Sequence, residues 1–302
     1  MRRELKFLHV DAFTDLPFGG NPASVVLGAD RLNDEQIEKI ARELNVRETV
    51  FVSGSDKADF RFRYMSPKGE FAFSGHATIA AFHALVTEGM IEVVEDVTMV
   101  TLEIKNEILQ VEIVKNDTTG IHEIQITHEK PQFLATYDPK EYAEALGLHL
   151  VDIMALYPIQ TVNTGIPNLM VPLMNLEALK RVKPNWDMLS KLAEGADYLA
   201  IEVFTKEALA VTSDATARHF APALGLEEDP VTGSAAGGLG SYMVRYGIVS
   251  SPNPVNSIVI EQGQFMGRPG KVIVEVRSDG KEVQQVKVSG IAVTVIKGRI
   301  YV

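Results

Sequence analysis

The chain has 302 residues, a formal net charge of −11 at pH 7 and no cysteine. Its length is typical of two domains, since one domain takes roughly 100–200 residues, and its acidity disfavours nucleic acid or an anionic membrane as a partner. The lack of cysteine excludes disulfides, cysteine-ligated metals and thiol catalysis. Because we find neither a signal peptide nor an apolar run of about 18 residues, we expect a cytoplasmic protein that does not enter a membrane.

The first third of the chain alternates segments that predict strands with segments that predict helices. Asn33 and Gln36 have the spacing of a helix capping box, and apolar residues on one helical face follow them. A second helix, rich in small residues, is predicted from Ser74 to Gly89. The predicted strands are, in order, residues 7–13, 21–27, 48–52 and 59–65, followed by a hairpin over 97–104 and 108–113 with its turn at 105–107.

The second part of the chain repeats short segments of the first part in the same order. Residues 63–67 (RYMSP) recur as 218–222 (RHFAP), and residues 75–77 (GHA) recur as 233–235 (GSA). The further matches are 89–91 with 247–249, 111–113 with 274–276, and 124–127 with 286–289.

Such ordered matches predict an internal duplication. We expect two similar halves, residues 1–130 and 131–302, and the last strand can cross back to the first half. The extra residues of the second copy, 226–229 and 264–270, are predicted to be loops.

Two of the repeated segments predict helix starts that can bind an anion. Ser74 and Thr232 are favourable N-cap residues, and each is followed by a glycine, Gly75 or Gly233. The free N–H groups and the helix dipole at such a start attract negative charge. Equivalent loops of duplicated halves are expected to meet in a cleft, where small molecules bind. The alternative is that the small residues only allow close packing.

Four polar side chains near these segments are candidates for proton transfer. Glu48 begins a strand, where partial removal from water makes a carboxylate more basic and so better suited to acid/base catalysis. The alternative is a solvated carboxylate beside Arg47. His76 lies in a first helical turn, and its alternative is a packed structural role. For Asp229, the alternative to proton transfer is that it only starts a turn. Ser234 corresponds to His76 in the repeat and lacks the surroundings of a serine nucleophile.

The remaining sequence carries little further signal for chemistry. No phosphate loop and no dinucleotide-binding fingerprint occurs, so we expect no nucleotide, nicotinamide or flavin cofactor. We also expect no metal, because the other histidines lack ligand spacing. These histidines are His9, His83, His122, His128, His149 and His219.

Five motifs together resemble the PhzF-like family of phenazine biosynthesis. They are residues 10–13 (VDAF), 17–23 (PFGGNPA), 48–52 (ETVFV), 73–78 (FSGHAT) and 229–235 (DPVTGSA). The resemblance runs nearly end to end. It implies the α/β fold of diaminopimelate epimerase, in which each of two pseudo-symmetric halves is a curved, mostly antiparallel sheet around a central helix, and the active site lies between the halves.

The resemblance also implies roles for residues. Glu48 matches the acid/base that shuttles a proton, and His76, Asp229 and Ser234 match polar residues around the substrate. Asn21 lies in the second motif and is a further candidate for substrate binding. The known reaction of the phenazine enzyme is a cofactor-free isomerisation of dihydro-3-hydroxyanthranilate, and dimerisation is a further expectation.

Related amino-acid epimerases use two cysteines, each just before the glycine of a helix start. Ser74 and Thr232 hold these positions here, which excludes a two-thiol mechanism because a hydroxyl is far less acidic than a thiol. We therefore expect a cofactor-independent isomerase acting on a small carboxylate. The alternatives are a racemase that pairs Glu48 with a second base, or a binding protein without catalysis.

Overall fold

The structure, a computed structural model, describes residues 3–105, 107–222, 226–249 and 254–302. The chain divides into two compact units, Met1–Ile126 with Ser289–Val302, and Thr127–Val288. The last strand therefore belongs to the same unit as the N-terminus.

Strands and helices follow one another along the first 128 residues. They are β1 (Glu4–Ala12), β2 (Asn21–Leu27), α1 (Asp34–Leu44), β3 (Thr49–Ser53), β4 (Phe60–Ser66), β5 (Gly69–Phe71), α2 (Gly75–Thr87), β6 (Val97–Ile104), β7 (Glu107–Val114) and β8 (Glu123–His128). The elements that follow are β9 (Gln132–Tyr137), α3 (Pro139–Ala145), β10 (Ile159–Asn163), β11 (Pro167–Pro172), α4 (Leu176–Arg181), α5 (Trp186–Ala193), β12 (Ala200–Thr205), β13 (Ala215–Ala221), β14 (Leu226–Asp229), α6 (Gly233–Arg245), β15 (Val255–Gln262), β16 (Gly270–Asp279), β17 (Glu282–Gly290) and β18 (Ala292–Tyr301).

The structure confirms the two helix starts and the hairpin that the sequence predicts. The capping box forms with both of its hydrogen bonds, between Asn33 and Gln36 at the start of α1. α2 begins directly after Ser74. β6 and β7 form the expected antiparallel hairpin, while Asn106 of the predicted turn lies outside the described residues.

One loop prediction is wrong. Residues 226–229 form β14, which pairs antiparallel with β13, just as β5 pairs with β4 in the first unit. The segment is therefore a counterpart of β5 rather than an added loop. The reason is a cross-strand pairing, His219 with Asp229, that a local reading of Glu, Glu and Asp before a proline does not show.

The strand pairings of the two units follow one pattern. β2 runs parallel to β3 and β11 parallel to β12. β3 pairs antiparallel with β4, and β12 with β13. β4 then pairs antiparallel with β5 and parallel with β6, and β13 does the same with β14 and β15. This repeated topology supports the predicted duplication.

In the first unit, the β4 strand has a different helix on each of its faces. Phe62 packs on Phe82 of α2, with ring centroids 5.2 Å apart. Residues of the opposite face, Phe51 of β3 and Met65, pack into a core with Ile37 and Ile40 of α1. α2 is thus the central helix of this unit.

The second unit repeats this layering. Phe204 of β12 packs on Tyr242 of α6 at 5.5 Å, whereas Phe220 of β13 faces the other way and packs on Trp186 of α5 at 6.2 Å. In the described parts of the chain, every helix is too short or too polar to cross a membrane.

Small residues of α6 do serve close packing. A Cβ atom on Gly238 would lie 2.8 Å from Met170 Cε, and one on Gly240 would lie 2.7 Å from Val274 Cγ1. Both distances are shorter than side-chain carbons tolerate, so these glycines allow strands to lie against the helix.

Candidate active site

Glu48 and His76 lie side by side in the first unit. Glu48 directly precedes β3, and its carbonyl accepts a hydrogen bond of 3.0 Å from the Ser24 backbone N–H of β2. His76 is the second residue of α2. Glu48 Oε2 and His76 Nε2 are 3.3 Å apart, and the two side chains are only 14% and 8% exposed. The burial of Glu48 argues against the alternative of a solvated carboxylate.

These two atoms face each other without the alignment of a hydrogen bond. Within the described part of the chain, neither Glu48 Oε2 nor His76 Nε2 has a hydrogen-bond partner, although both atoms are buried. Buried polar atoms are nearly always satisfied in folded proteins. An acceptor and a ring nitrogen left open at the same point can both bind a substrate group.

Ser74 orients the His76 ring. Its Oγ accepts from the backbone N–H of Ala77 at 3.4 Å and lies 3.3 Å from His76 Nδ1. If the Ser74 hydroxyl donates to Nδ1, the neutral ring carries its proton on Nε2, on the side of Glu48. This tautomer turns His76 into a hydrogen-bond donor beside the carboxylate.

Two further hydroxyl groups, those of Thr78 and Tyr64, make hydrogen bonds at the same helix start. The Thr78 hydroxyl donates to the Ser74 carbonyl at 2.6 Å, and its oxygen lies 2.6 Å from the hydroxyl of Tyr64 on β4. Burial raises the pKa of Tyr64 well above its usual value, and the charge of Glu48 adds to the shift. Tyr64 therefore stays protonated and donates to Thr78.

The two remaining candidates of the first unit are Asn21 and Gly75. Asn21 is the buried first residue of β2, opposite Ala12 of β1. Gly75 opens α2, and a Cβ atom built on it would meet no described heavy atom within 4 Å outside its own helix and chain neighbours. Unlike Gly238 and Gly240 of α6, Gly75 is not required by packing, so the space in front of it is open to a ligand.

In the second unit, Asp229 and Thr232 form one hydrogen-bonded corner with Gln262. The Thr232 hydroxyl donates to Asp229 Oδ2 at 2.5 Å, and its backbone N–H donates to Gln262 Oε1 at 3.1 Å. The Gln262 amide donates to the Asp229 carbonyl at 2.9 Å. Asp229 thus stands directly at the start of α6.

Thr232 occupies the N-cap position that the sequence predicts, although its side chain makes no capping hydrogen bond. Its hydroxyl donates to Asp229 and accepts from the side-chain amide of Gln262 at 3.3 Å. Gly233 and Ser234 are the first residues of α6. Ser234 is half-buried, and its carbonyl accepts from the Thr164 hydroxyl at 3.3 Å.

A buried pair that sequence reasoning missed lies beside this corner. Glu202 of β12 and His219 of β13 are both buried, and His219 Nδ1 lies 2.9 Å from Glu202 Oε2. The available signal was a glutamate within an otherwise apolar strand, residues 200–205 (AIEVFT). Among the described residues, no group of three or more acidic or histidine side chains could hold a metal ion.

Comparison with known proteins finds relatives that match nearly the whole chain. An uncharacterized isomerase of Bacillus subtilis is 37% identical over 96% of this chain and 97% of its own. The crystal structure of a phenazine biosynthesis protein of the PhzF family from Bacillus anthracis superposes with a TM-score of 0.90, at 32% identity, over 99% of this chain and 100% of that one. A hydroxyproline epimerase from Agrobacterium vitis shares the fold at a TM-score of 0.63 and 12% identity, over 99% and 91% of the two chains.

The chain is thus an enzyme of the isomerase class, with an epimerase-like α/β fold. A family model for phenazine biosynthesis-like proteins, PhzC-PhzF, matches residues 10–298, and the chain belongs to that family. The resemblance drawn from the five sequence motifs is confirmed.

Proposed function

We propose that this isomerase needs no cofactor and moves a proton within a small substrate that carries a carboxylate, with Glu48 as the acid/base. The observation that carries the proposal is the buried approach of Glu48 Oε2 to His76 Nε2 at 3.3 Å. Both atoms lack a hydrogen-bond partner within the described residues, so they are available to a substrate.

The reaction begins when Glu48 takes a proton from a carbon next to the carboxylate or a conjugated system. The C–H bond breaks, an O–H bond forms on Glu48, and the electron pair stays on the substrate as an enolate-like anion. Glu48 then returns the proton to another carbon of the same skeleton. A positioned acid/base of this kind contributes about 10²–10⁴-fold to a rate.

The negative charge that develops on the substrate in this step must be stabilised by hydrogen-bond donors. His76, with its proton on Nε2, is one donor beside Glu48. The N–H groups at the start of α2 are others, because the helix dipole favours an anion there and Gly75 leaves room for it. In the second unit, we assign substrate binding to Gly233, Ser234 and the corner of Asp229 and Thr232.

The strand registers allow the two units to be compared residue by residue. Thr49 pairs with Met65 in the first unit, and Ile201 pairs with Phe220 in the second. Met65 and Phe220 hold the same place in the repeated segments 63–67 and 218–222. Thr49 therefore corresponds to Ile201.

By the same register, Glu48 corresponds to Ala200. Ala200 is buried and has no ionisable group, so the second unit lacks a counterpart of the proposed base. A two-base epimerisation needs one group to remove the proton and another to deliver it on the opposite face. A single carboxylate instead suits an isomerase that returns the proton on the face from which it came.

Proton NMR in D₂O tests the reaction and the substrate class together. We expect conversion of dihydro-3-hydroxyanthranilate, or of another small amino or hydroxy acid in a panel. Deuterium enters the product wherever the proton on Glu48 exchanges with solvent before it is returned. A product that differs from the substrate only by an inverted centre would contradict the proton shift between two carbons and indicate an epimerase. Binding of panel members with neither conversion nor solvent exchange would contradict proton transfer.

A further inference from the structure

The first unit has a cavity on the face of its sheet that packs on α1. The volume of the cavity is about 120 Å³. Phe51 of β3 lines it and belongs to the core formed with α1. Glu48 contacts His76 of α2, the helix on the opposite face of this sheet. A ligand in the cavity would therefore leave the proposed catalytic site free.

The buried part of the cavity lining is apolar. Leu32, Ile37 and Phe51 line it, and the last two residues are only 3% and 1% exposed. An apolar cavity of about 150 Å³ holds one benzene molecule, so this one has room for a short branched hydrocarbon chain. Such a surface offers no hydrogen bonds to ordered water, which favours an aliphatic group there.

The more exposed part of the lining is charged. Asp30, Arg61 and Arg63 line the cavity there. The Arg63 guanidinium is neutralised by Asp34 and Glu70, each 2.7 Å away. One carboxylate, that of Asp30, and one guanidinium, that of Arg61, are thus left for a ligand.

Asp30 is held in place, and the Arg61 guanidinium is available. Asp30 Oδ1 accepts from the Gly54 backbone N–H at 2.7 Å, which leaves Oδ2 for another donor. Within the described part of the chain, no ion pair or hydrogen bond engages the Arg61 guanidinium. Glu103, its neighbour on β6, instead accepts from the Ser55 hydroxyl at 2.5 Å.

The second unit closes the matching place. Ser53 pairs with Arg61 across β3 and β4, and Thr205 pairs with Thr216 across β12 and β13. In the register that relates the two units, Thr216 corresponds to Arg61. Both threonines are fully buried, and the Thr216 hydroxyl donates to the Glu207 carbonyl at 3.0 Å. The fold does not require a cavity here, so the cavity and its arginine in the first unit need another explanation.

We propose that this cavity binds a small aliphatic amino acid as a zwitterion. Arg61 donates to the carboxylate of the ligand, and Asp30 Oδ2 accepts from its ammonium group. The aliphatic side chain of the ligand lies on Leu32, Ile37 and Phe51. The site is separate from the proposed catalytic site, so the protein binds a second ligand besides the molecule that it isomerises.

The two charges of the cavity select a zwitterion over a simple ion. A carboxylate without an ammonium group would be repelled by Asp30, and an amine without a carboxylate would be repelled by Arg61. A ligand with both groups presents each charge of the cavity with its opposite. Arginine also suits a carboxylate because its planar guanidinium can donate to both oxygens.

A ¹H–¹⁵N NMR titration of the wild-type protein with L-valine tests the site. The Gly54 amide, which donates to Asp30, reports on the cavity, and the Ala77 amide, which donates to Ser74, reports on the proposed catalytic site. We expect the Gly54 signal to shift with a Kd on the order of 1 mM, the range for a ligand with so few atoms. No shift at Gly54, or a shift at Ala77 alone, would overturn the proposal.

Arg61→Gln removes the cation that holds the carboxylate. Because a hydrogen bond to a charged group is lost, the Kd for L-valine should rise by about 10–100-fold. Arg277→Gln is the matched control, since Arg277 is an exposed arginine on β16 of the second unit. Both variants should keep the melting temperature of the wild type, and the control should keep its affinity. Wild-type affinity in Arg61→Gln would overturn the proposal.

Asp30→Asn and two analogues of valine test the zwitterion. The asparagine oxygen can still accept from the Gly54 N–H, so this variant loses the charge and keeps the contact. Asp30→Asn should bind L-valine about tenfold more weakly and bind isovalerate, which lacks the ammonium group, at least as well as the wild type does. Isovalerate and isobutylamine should each bind the wild type about tenfold more weakly than L-valine does.

Equal affinity of the wild type for isovalerate and L-valine would overturn the assignment of a zwitterion. These titrations need no turnover, so they decide on the cavity whether or not the proposed isomerase reaction is found.

Discussion

Replacing Gly75 by alanine separates a ligand-binding role of this glycine from a packing role. A Cβ atom at Gly75 meets no heavy atom within 4 Å among the described residues, apart from its own helix and chain neighbours. The substitution should leave the free energy of unfolding unchanged or raise it by up to about 1 kcal/mol, since alanine favours a helix over glycine. The methyl group, however, occupies the space from which an anion would approach the N–H groups.

Loss of one hydrogen bond to a charged group costs about 1.5–3 kcal/mol. Gly75→Ala should therefore raise KM, or the Kd of a carboxylate inhibitor, by about 10–100-fold. Urea unfolding measures the stability, and calorimetric titration or steady-state kinetics measures the affinity.

Gly240→Ala should have the opposite effect, lowering the free energy of unfolding and leaving ligand affinity nearly unchanged. Its Cβ would lie 2.7 Å from Cγ1 of Val274, a buried side chain on β16. Overpacking costs about 1–3 kcal/mol, partly offset by about 1 kcal/mol of helix propensity, so we expect a net loss of up to about 2 kcal/mol with little change in affinity. Equal destabilisation by both variants, with KM unchanged in Gly75→Ala, would refute the anion-binding role.

Three further measurements test separate parts of the account. Asn33→Ala removes the capping box of α1 and should lower the free energy of unfolding by about 1 kcal/mol in urea titration, with Glu43→Ala on the exposed face of α1 as a near-neutral control. Burial, with a smaller effect of Lys297, lowers the pKa of His83 from 6.5 to about 4, so the unfolded chain binds the extra proton first and the contribution of His83 to stability should fall by about 3 kcal/mol as pH drops to 4. Burial also lowers the pKa of His128 to about 4, so His83→Gln should remove only the His83 part of this pH dependence. Light scattering after gel filtration measures whether the chain forms the homodimer that the family resemblance implies, and a monomer at all concentrations would contradict that expectation.

Features carried by neighbouring residues in the sequence were predictable. Asn33 and Gln36 identify the start of α1, and Ser74 and Gly75 identify the start of α2, because capping depends on residues three positions apart. The alternating pattern of residues 97–113 identifies the hairpin. The repeats of residues 63–67 and 75–77 identify the duplication that the strand pairings support.

Features that depend on the register between strands were not predictable from one sequence. Asp229 sits in a strand because it pairs with His219, and the same pairing links it to Glu202, 27 positions earlier in the chain. A one-residue slip of register would send each of these side chains to the other face, and periodicity alone does not fix that choice.

The central claim is that Glu48 carries the proton, and one comparison in D₂O tests it most directly. Wild type, Glu48→Gln and the exposed control Glu43→Gln are incubated with the same substrate, and deuterium incorporation and isomerisation are followed by NMR. We predict that Glu48→Gln stays folded and loses turnover by about 10²–10⁴-fold, while Glu43→Gln retains it. Deuterium incorporation by Glu48→Gln at the wild-type rate would contradict the account.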